Sequence, residues 1–220
     1  MAQGTTNAAH TAKAGFFLLE PASSAGSGFF PATMPSLENQ KQALRAELRK
    51  TALTPGSPEH VTASLAAQKR LAEVAIESGA RRIALYRALP SECGTAALAA
   101  ALEAAGREVC YPALVAGQLG LQFRRSSGVF VAGALGIEEP SGPEVPLDQI
   151  ELLVVPAIAV DTAGGRLGRG KGHYDATLAL YQGPSVALVF DSQLVPEVPV
   201  GEHDRRVGAV CTDLRWIRVL

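Results

Sequence analysis

Cysteine is scarce in this 220-residue chain, and Cys93, Cys110 and Cys211 are odd in number and widely spaced. They form neither a CxxC metal pattern nor a disulfide framework, so each is expected to pack as a small apolar residue in a protein of the reducing cytoplasm. An excess of charge of one sign is also missing. Twenty Lys and Arg against 21 Asp and Glu leave a net charge of -1, without the broad basic surplus of a nucleic-acid-binding domain. No apolar run approaches the length of a membrane span. What is present, 47% hydrophobic and 19% charged residues, suffices for a substantial core in one compact domain.

Residues 1–35 read as a disordered N-terminal extension, and residues 36–220 as a single α/β domain. The first stretch is rich in Ala, Gly, Ser and Thr, with two short apolar clusters at 16–19 and 29–30. The first cluster is too short for a secretory core and has no clear basic lead, and Met34 offers an alternative start. Helices are expected from the Ser36 cap to about Leu53 and from about Glu59 to Ser78, the second presenting Val61, Leu65, Leu71, Val74 and Ala75 on one face. A βαβ unit follows: strand 82–86, an Ala-rich helix 95–105, strand 108–114. Further strands are expected at 121–125, 152–160, 185–190 and 207–212, with a helix at 174–181. Such alternation implies a mainly parallel sheet with helices on both faces and a ligand beyond the carboxyl ends of the strands.

That position is taken by the most informative stretch, GGRLGRGKGHYD, in which five glycines from Gly164 to Gly172 interleave with Arg166, Arg169 and Lys171. Glycines let successive N–H groups turn toward an anion, and the cations supply charge and forked donors, so the loop predicts a phosphorylated ligand. It is not a Walker A loop, because Gly172 stands where a Ser or Thr would meet magnesium. Nor does the spacing of Gly168, Gly170 and Gly172 fit the dinucleotide fingerprint. The plainer alternative is a mobile, basic surface connection.

Several ordered segments from Lys41 onward resemble the 5-formyltetrahydrofolate cyclo-ligase (5,10-methenyltetrahydrofolate synthetase) family: KQALR, LYRALPSECGT, GIEEP, LLVVPAIAVDTAGGRLGRGKGHYD and GEHDRRVGAV. The resemblance implies a Rossmann-like three-layer sandwich of the NagB/RpiA/CoA transferase-like type. It also implies a ligase that uses ATP and Mg2+ to turn 5-formyltetrahydrofolate into 5,10-methenyltetrahydrofolate, releasing ADP and phosphate. By the same resemblance, Lys41, Arg45 and the run Arg166, Leu167, Gly168, Arg169, Gly170, Lys171, Gly172, His173 and Tyr174 would bind ATP. Glu92, Ile137, Glu139 and Pro140, with Arg169, Gly170, Lys171, Gly172 and His173, would meet the folate. Asp175 and Asp204 would hold magnesium, and Arg169, Lys171 and His173 would act in catalysis. Nucleic acid and membrane are not expected partners; a monomer or weak homo-oligomer is.

Each residue also has a simpler reading. The spacing of Lys41 and Arg45 puts both on one helix face, which suits a triphosphate or merely solvent. Asp175 could complement a helix dipole, Asp204 could pair with a neighbouring arginine, and Glu92 could neighbour a helix cap. Many relatives carry two tyrosines where this chain has His173 and Tyr174, and histidine, unlike tyrosine, titrates near neutral pH. His203, beside Asp204, is more often structural or solvent-facing, and His10 and His60 suggest no chemistry. Two other functions remain open from the residues: a binding module that keeps ATP or folate affinity without turnover, and another phosphate-handling enzyme of similar fold, such as a sugar-phosphate isomerase or a phosphotransferase.

Overall fold

The structure, a computed structural model, describes residues 35–133 and 138–219. The expected extension, except Pro35, and Ile137 lie outside the described residues.

Two capped helices open the described chain. Ser36 Oγ accepts from Asn39 N ahead of α1 (Leu37–Thr51), and Ser57 Oγ accepts from His60 N ahead of α2 (Pro58–Glu77), whose first residue is a proline that has no N–H to leave orphaned. Strand β1 (Arg82–Ala84), helix α3 (Ala96–Ala104) and strand β2 (Glu108–Ala113) form the βαβ unit. Then come β3 (Gln122–Arg125), β4 (Phe130–Ala132), β5 (Glu138–Pro140), β6 (Glu144–Val145) and β7 (Leu152–Val155). A hairpin of β8 (Ala159–Val160) and β9 (Arg166–Leu167) leads to α4 (His173–Leu180), β10 (Ser185–Leu188), β11 (Ala209–Cys211) and β12 (Trp216–Arg218).

Eight strands make one sheet in the order β12-β11-β10-β7-β1-β2-β3-β6. The five from β11 to β2 run parallel, β12 and β3 run against them, and the edge strand β6 pairs antiparallel with β3. Register follows the apolar side chains, Ile83 lying beside Val109 and Leu152, and Ala187 beside Val155 and Val210. With a side-chain period of two, each strand serves both faces. Ile83, Val109, Leu152, Val154, Val186 and Leu188 pack with Leu71 of α2 and Leu98 and Leu102 of α3. Ala84, Cys110, Leu153, Val155, Ala187 and Val210 pack on the other side with Leu178 and Tyr181. The three layers and the mainly parallel sheet are as the alternation of elements implied.

Two expectations are corrected. The apolar run 152–160 is not one strand: β7 ends at Val155, and after Pro156, which has no N–H for the ladder, residues 159–160 pair with 166–167 instead. In α2, Val61 and Leu65 are exposed, and the buried ridge is His60, Ser64, Ala67, Gln68, Leu71, Ala72 and Ala75. Ser64 and Gln68 can be buried on that ridge because their polar groups are satisfied. Gln68 Oε1 accepts from Ala97 N and Leu98 N at 2.9 and 3.1 Å, capping α3 from a neighbouring helix, while its Nε2 donates to Ser64 O and Oγ. Gln68→Leu orphans both amides and is expected to lower unfolding free energy by about 1–3 kcal/mol, read from urea denaturation.

The three thiols are buried and unpaired. Burial pushes each up to about 12, so all three remain protonated and inert at neutral pH.

Candidate active site

Strand β1 continues through α3 to β2 on one side, whereas β7 lies on the other side of β1. A crevice therefore opens beyond the carboxyl ends of β1 and β7, at the point where the connections change direction. It holds a cavity of about 730 Å3. Tyr86 follows β1 into its wall, and Pro156, Ala157 and Ile158 follow β7.

The loop that ends in α4 is shaped by a buried carboxylate. Asp161, 3% exposed, accepts from Ala163 N and Gly165 N at 3.0 and 2.7 Å and from Val198 N at 2.9 Å. This folds the β8–β9 turn tightly and aims the chain from Leu167 along the cavity. Ala159, Leu167 and Val198 form a small separate core against Leu44 and Leu48, so α1 is docked on the hairpin, with Lys41 and Arg45 beside the loop. Arg45 Nε donates to Gly168 O at 3.1 Å. Gly172, at φ 77°, caps α4 in a left-handed conformation that a side chain would strain. The first N–H groups of α4 thus open at the cavity, where a helix terminus favours negative charge.

Of the seven Lys and Arg that line the cavity, Arg87 and Arg205 lie outside α1 and the glycine loop; the five within them are Lys41, Arg45, Arg166, Arg169 and Lys171. Four of them meet carboxylates. Lys41 Nζ contacts Asp204 Oδ2 at 2.5 Å, Arg45 contacts Glu38 at 3.0 Å, Arg166 contacts Asp175 Oδ1 at 2.8 Å, and Arg169 contacts Glu92 Oε1 at 3.0 Å. Lys171 is exposed and has neither a hydrogen bond nor an ion pair among the described residues. Arg166 is the opposite case, with its side chain 3% exposed and its guanidinium 5.9 Å from the Tyr174 ring centroid. Burial pushes the Tyr174 phenol up, with the Glu92 charge adding to the effect and Arg166 opposing it, so the hydroxyl stays a donor.

For Asp204, burial alone would raise the carboxyl. The Lys41 ammonium, the Gly201 amide and the charge of Arg166 outweigh it and hold the carboxyl below its usual range. A carboxyl depressed on folding stabilises above its unfolded pKa, and that contribution is lost as pH falls through the folded value. Asp204→Asn is therefore expected to reduce stability at pH 7 by up to about 1 kcal/mol, the ceiling for a partly exposed pair. The gap to the parent should close in urea titrations carried below about pH 4, near the unfolded carboxyl value.

Asp175 and Asp204 each engage a cation through one oxygen, and the other oxygen, Oδ2 of Asp175 and Oδ1 of Asp204, has no hydrogen bond among the described residues. No cluster of three or more His, Cys, Asp or Glu suited to a metal occurs among the described residues. The donor set thus fits a hard dication that takes one or two protein carboxylates and completes its shell with phosphate oxygens and water.

Part of the lining is apolar: Pro112, Leu114, Leu119 and Leu121, from the end of β2 and the connection to β3, line the cavity together with Ala176 and Ala179 of α4. His173 is tied to this part, its Nδ1 lying 2.8 Å from Leu119 O. Glu139 lines the cavity and accepts from Leu114 N at 3.2 Å. Pro140 is not among the lining residues: it is buried in β5 opposite Phe130. Lys41, Arg45, Glu92, Glu139, the whole run 166–175 and Asp204 are brought together, and His203 joins them. The apolar wall was missed by sequence reasoning, because residues scattered over a loop carry no periodic signal.

These features define a three-layer α/β protein with a basic glycine loop at the switch point of its sheet and apolar side chains lining the same cavity. The sequence matches the 5-formyltetrahydrofolate cyclo-ligase family over residues 37–213, and the chain belongs to that family. The 5-formyltetrahydrofolate cyclo-ligase of Mycolicibacterium smegmatis is 37% identical over 150 residues, covering 64% of this chain and 77% of that protein. The Escherichia coli K12 protein of the same name is 34% identical over 142 residues, covering 60% and 78%. In fold, the chain is similar to the 5,10-methenyltetrahydrofolate synthetase of Aquifex aeolicus, with a TM-score of 0.70 and 23% identity over 83% of this chain and 92% of that one. The Mycoplasma pneumoniae synthetase gives a TM-score of 0.65 at 18% identity, over 79% and 98%. Among the described residues no helix is long and apolar enough to cross a membrane.

Proposed function

We propose that this chain is an ATP- and magnesium-dependent 5-formyltetrahydrofolate cyclo-ligase, forming 5,10-methenyltetrahydrofolate, ADP and phosphate. The observation that carries the reading is the mixed lining of the cavity: Lys41, Arg45, Arg166, Arg169, Lys171 and the start of α4, together with leucines and prolines. A polyanion and a flat heterocycle can lie there side by side, which a phosphoryl transfer between them requires.

Arg166, Arg169, Lys171, Lys41 and Arg45 hold and neutralise the triphosphate. The γ-phosphoryl group passes from the bridging oxygen of ADP to the formyl oxygen, converting a poor leaving group into a phosphate ester. Nitrogen 10 of the folate attacks the formyl carbon and loses its proton. The carbon–oxygen bond then breaks, and inorganic phosphate leaves as the methenyl bridge forms. Lys171, unneutralised by any carboxylate of the described chain, is placed to follow the charge that develops on the transferred group. As a phosphate displaces the carboxylates from Arg166 and Lys41, Asp175 and Asp204 become available to hold Mg2+, which when bound supplies charge neutralisation beside the phosphates. Glu92 and Glu139 accept hydrogen bonds from the folate ring, and Leu114, Leu119 and Leu121 pack on its flat face. No nucleophilic serine or cysteine is needed, in keeping with three buried, protonated thiols.

The test is ATP cleavage by purified protein in the presence of Mg2+. ADP release that requires 5-formyltetrahydrofolate supports the proposal. Cleavage indifferent to folate would point to another phosphate-handling enzyme, and binding of both ligands without cleavage to a binding module.

A further inference from the structure

Glu92 lines the cavity with neither carboxylate oxygen unengaged. Its Oε1 accepts from Arg169 Nε at 3.0 Å and its Oε2 from Leu89 N, in its own turn, at 2.9 Å. Arg169 uses the other arm of its fork on Ser91 Oγ at 3.1 Å. The two partners are unequal: the side chain of Glu92 is 13% exposed and that of Arg169 is 48% exposed. Glu92 is fixed in the wall, whereas Arg169 reaches across from the phosphate-type loop. It stands between Gly168 and Gly170, the latter at φ 90°, so re-aiming its backbone meets little steric resistance.

A guanidinium cannot present the same fork to a carboxylate and to a phosphate at once. Resting on the function proposed above, we infer that Arg169 is a coupling residue: it occupies Glu92 until a polyanion at the loop draws the guanidinium away, so nucleotide binding makes Glu92 available to the folate. Glu92 keeps its bond from Leu89 N and gains an oxygen that can accept N–H donors from a heterocycle. The two substrates therefore bind with positive linkage, and because linkage is reciprocal, folate must tighten nucleotide binding by the same factor. The residue acts on folate indirectly, by withholding its acceptor, while its own contact is with the nucleotide.

The experiment is calorimetric titration of the full chain with 5-formyltetrahydrofolate, with and without the β,γ-imido analogue of ATP and Mg2+. For the parent protein the analogue is expected to tighten folate binding by about tenfold. Arg169→Gln should bind folate without nucleotide at least ~5-fold more tightly than the parent, since the competing partner is gone. In that variant the effect of the analogue should shrink to within about twofold. Ser91→Ala, which removes one anchor of Arg169 and keeps the charge, should lie between the two. Weaker or unchanged folate binding by Arg169→Gln, with the linkage intact, would overturn the coupling and leave the proposed function standing. Failure of the folded parent to bind either ligand would overturn both.

Discussion

Lys171→Ala is expected to lower kcat/KM for methenyl formation by about 10^2- to 10^3-fold, the usual cost of removing one donor aimed at developing charge. Its urea midpoint should not move, because the side chain is exposed and makes no contact that folding needs. The contrast is Arg166→Met. That guanidinium is 3% exposed and donates to Asp175, which is 24% exposed and also accepts from Arg205 N, so its removal should cost about 1–3 kcal/mol of stability along with activity. Stopped-time assays and denaturation curves on the same two preparations separate the roles. A Lys171 variant that is active and stable would remove this residue from the chemistry.

Gly164→Ala is expected to destabilise the fold by about 3 kcal/mol, combining left-handed strain with a backbone collision. Gly164 has φ +80°, and a Cβ there would lie 2.4 Å from Val207 O, in the turn that Asp161 organises. Gly56 is the internal control: at φ +78° it has nothing within 4 Å of its Cβ, so Gly56→Ala should cost only about 1 kcal/mol. Urea denaturation of the two variants reads the collision alone as their difference. Gly164 and its neighbour Gly165 thus serve the turn, whereas Gly170 and Gly172 lie at the cavity, a division that glycine content by itself does not reveal.

The parts of the fold that were legible in the sequence are those with a repeating or punctuated signal. Ser36 marks the origin of α1 through cap chemistry, and buried parallel strands announce themselves as runs of Leu and Val. The strand ending at Val155 was overextended because 156–160 is just as apolar. What breaks it is a proline together with a carboxylate five residues further on, Asp161, whose three backbone partners are set by tertiary folding. The face of α2 was misread because Ser64 and Gln68 count as polar in a periodicity argument, although their hydrogen bonds to each other and to Gly94, Ala97 and Leu98 let them sit inside. Strands β4, β5, β6, β9 and β12, each of two or three residues, are too short for any alternation to register.

At the site, the loop from Arg166 to Asp175 stands out through composition alone. Lys41, Glu92 and Asp204, far apart in sequence, needed the resemblance to be gathered with it. Their pairings, Lys41 with Asp204 and Arg169 with Glu92, join residues 163 and 77 positions apart and could not have been read from spacing. The same holds for the leucine wall, which exists only because the β2–β3 connection returns over α4, where His173 meets Leu119 O and Thr177 Oγ1 accepts from Leu121 N.

The most direct measurement is the near-ultraviolet absorbance of methenyltetrahydrofolate after the protein is mixed with 5-formyltetrahydrofolate and Mg2+, with and without ATP, where spontaneous cyclisation is slow. Growth of that absorbance only with ATP, lost in Lys171→Ala and Asp204→Ala, is the result expected. A well-folded protein that produces no absorbance change with ATP would contradict the cyclo-ligase reading of the cavity.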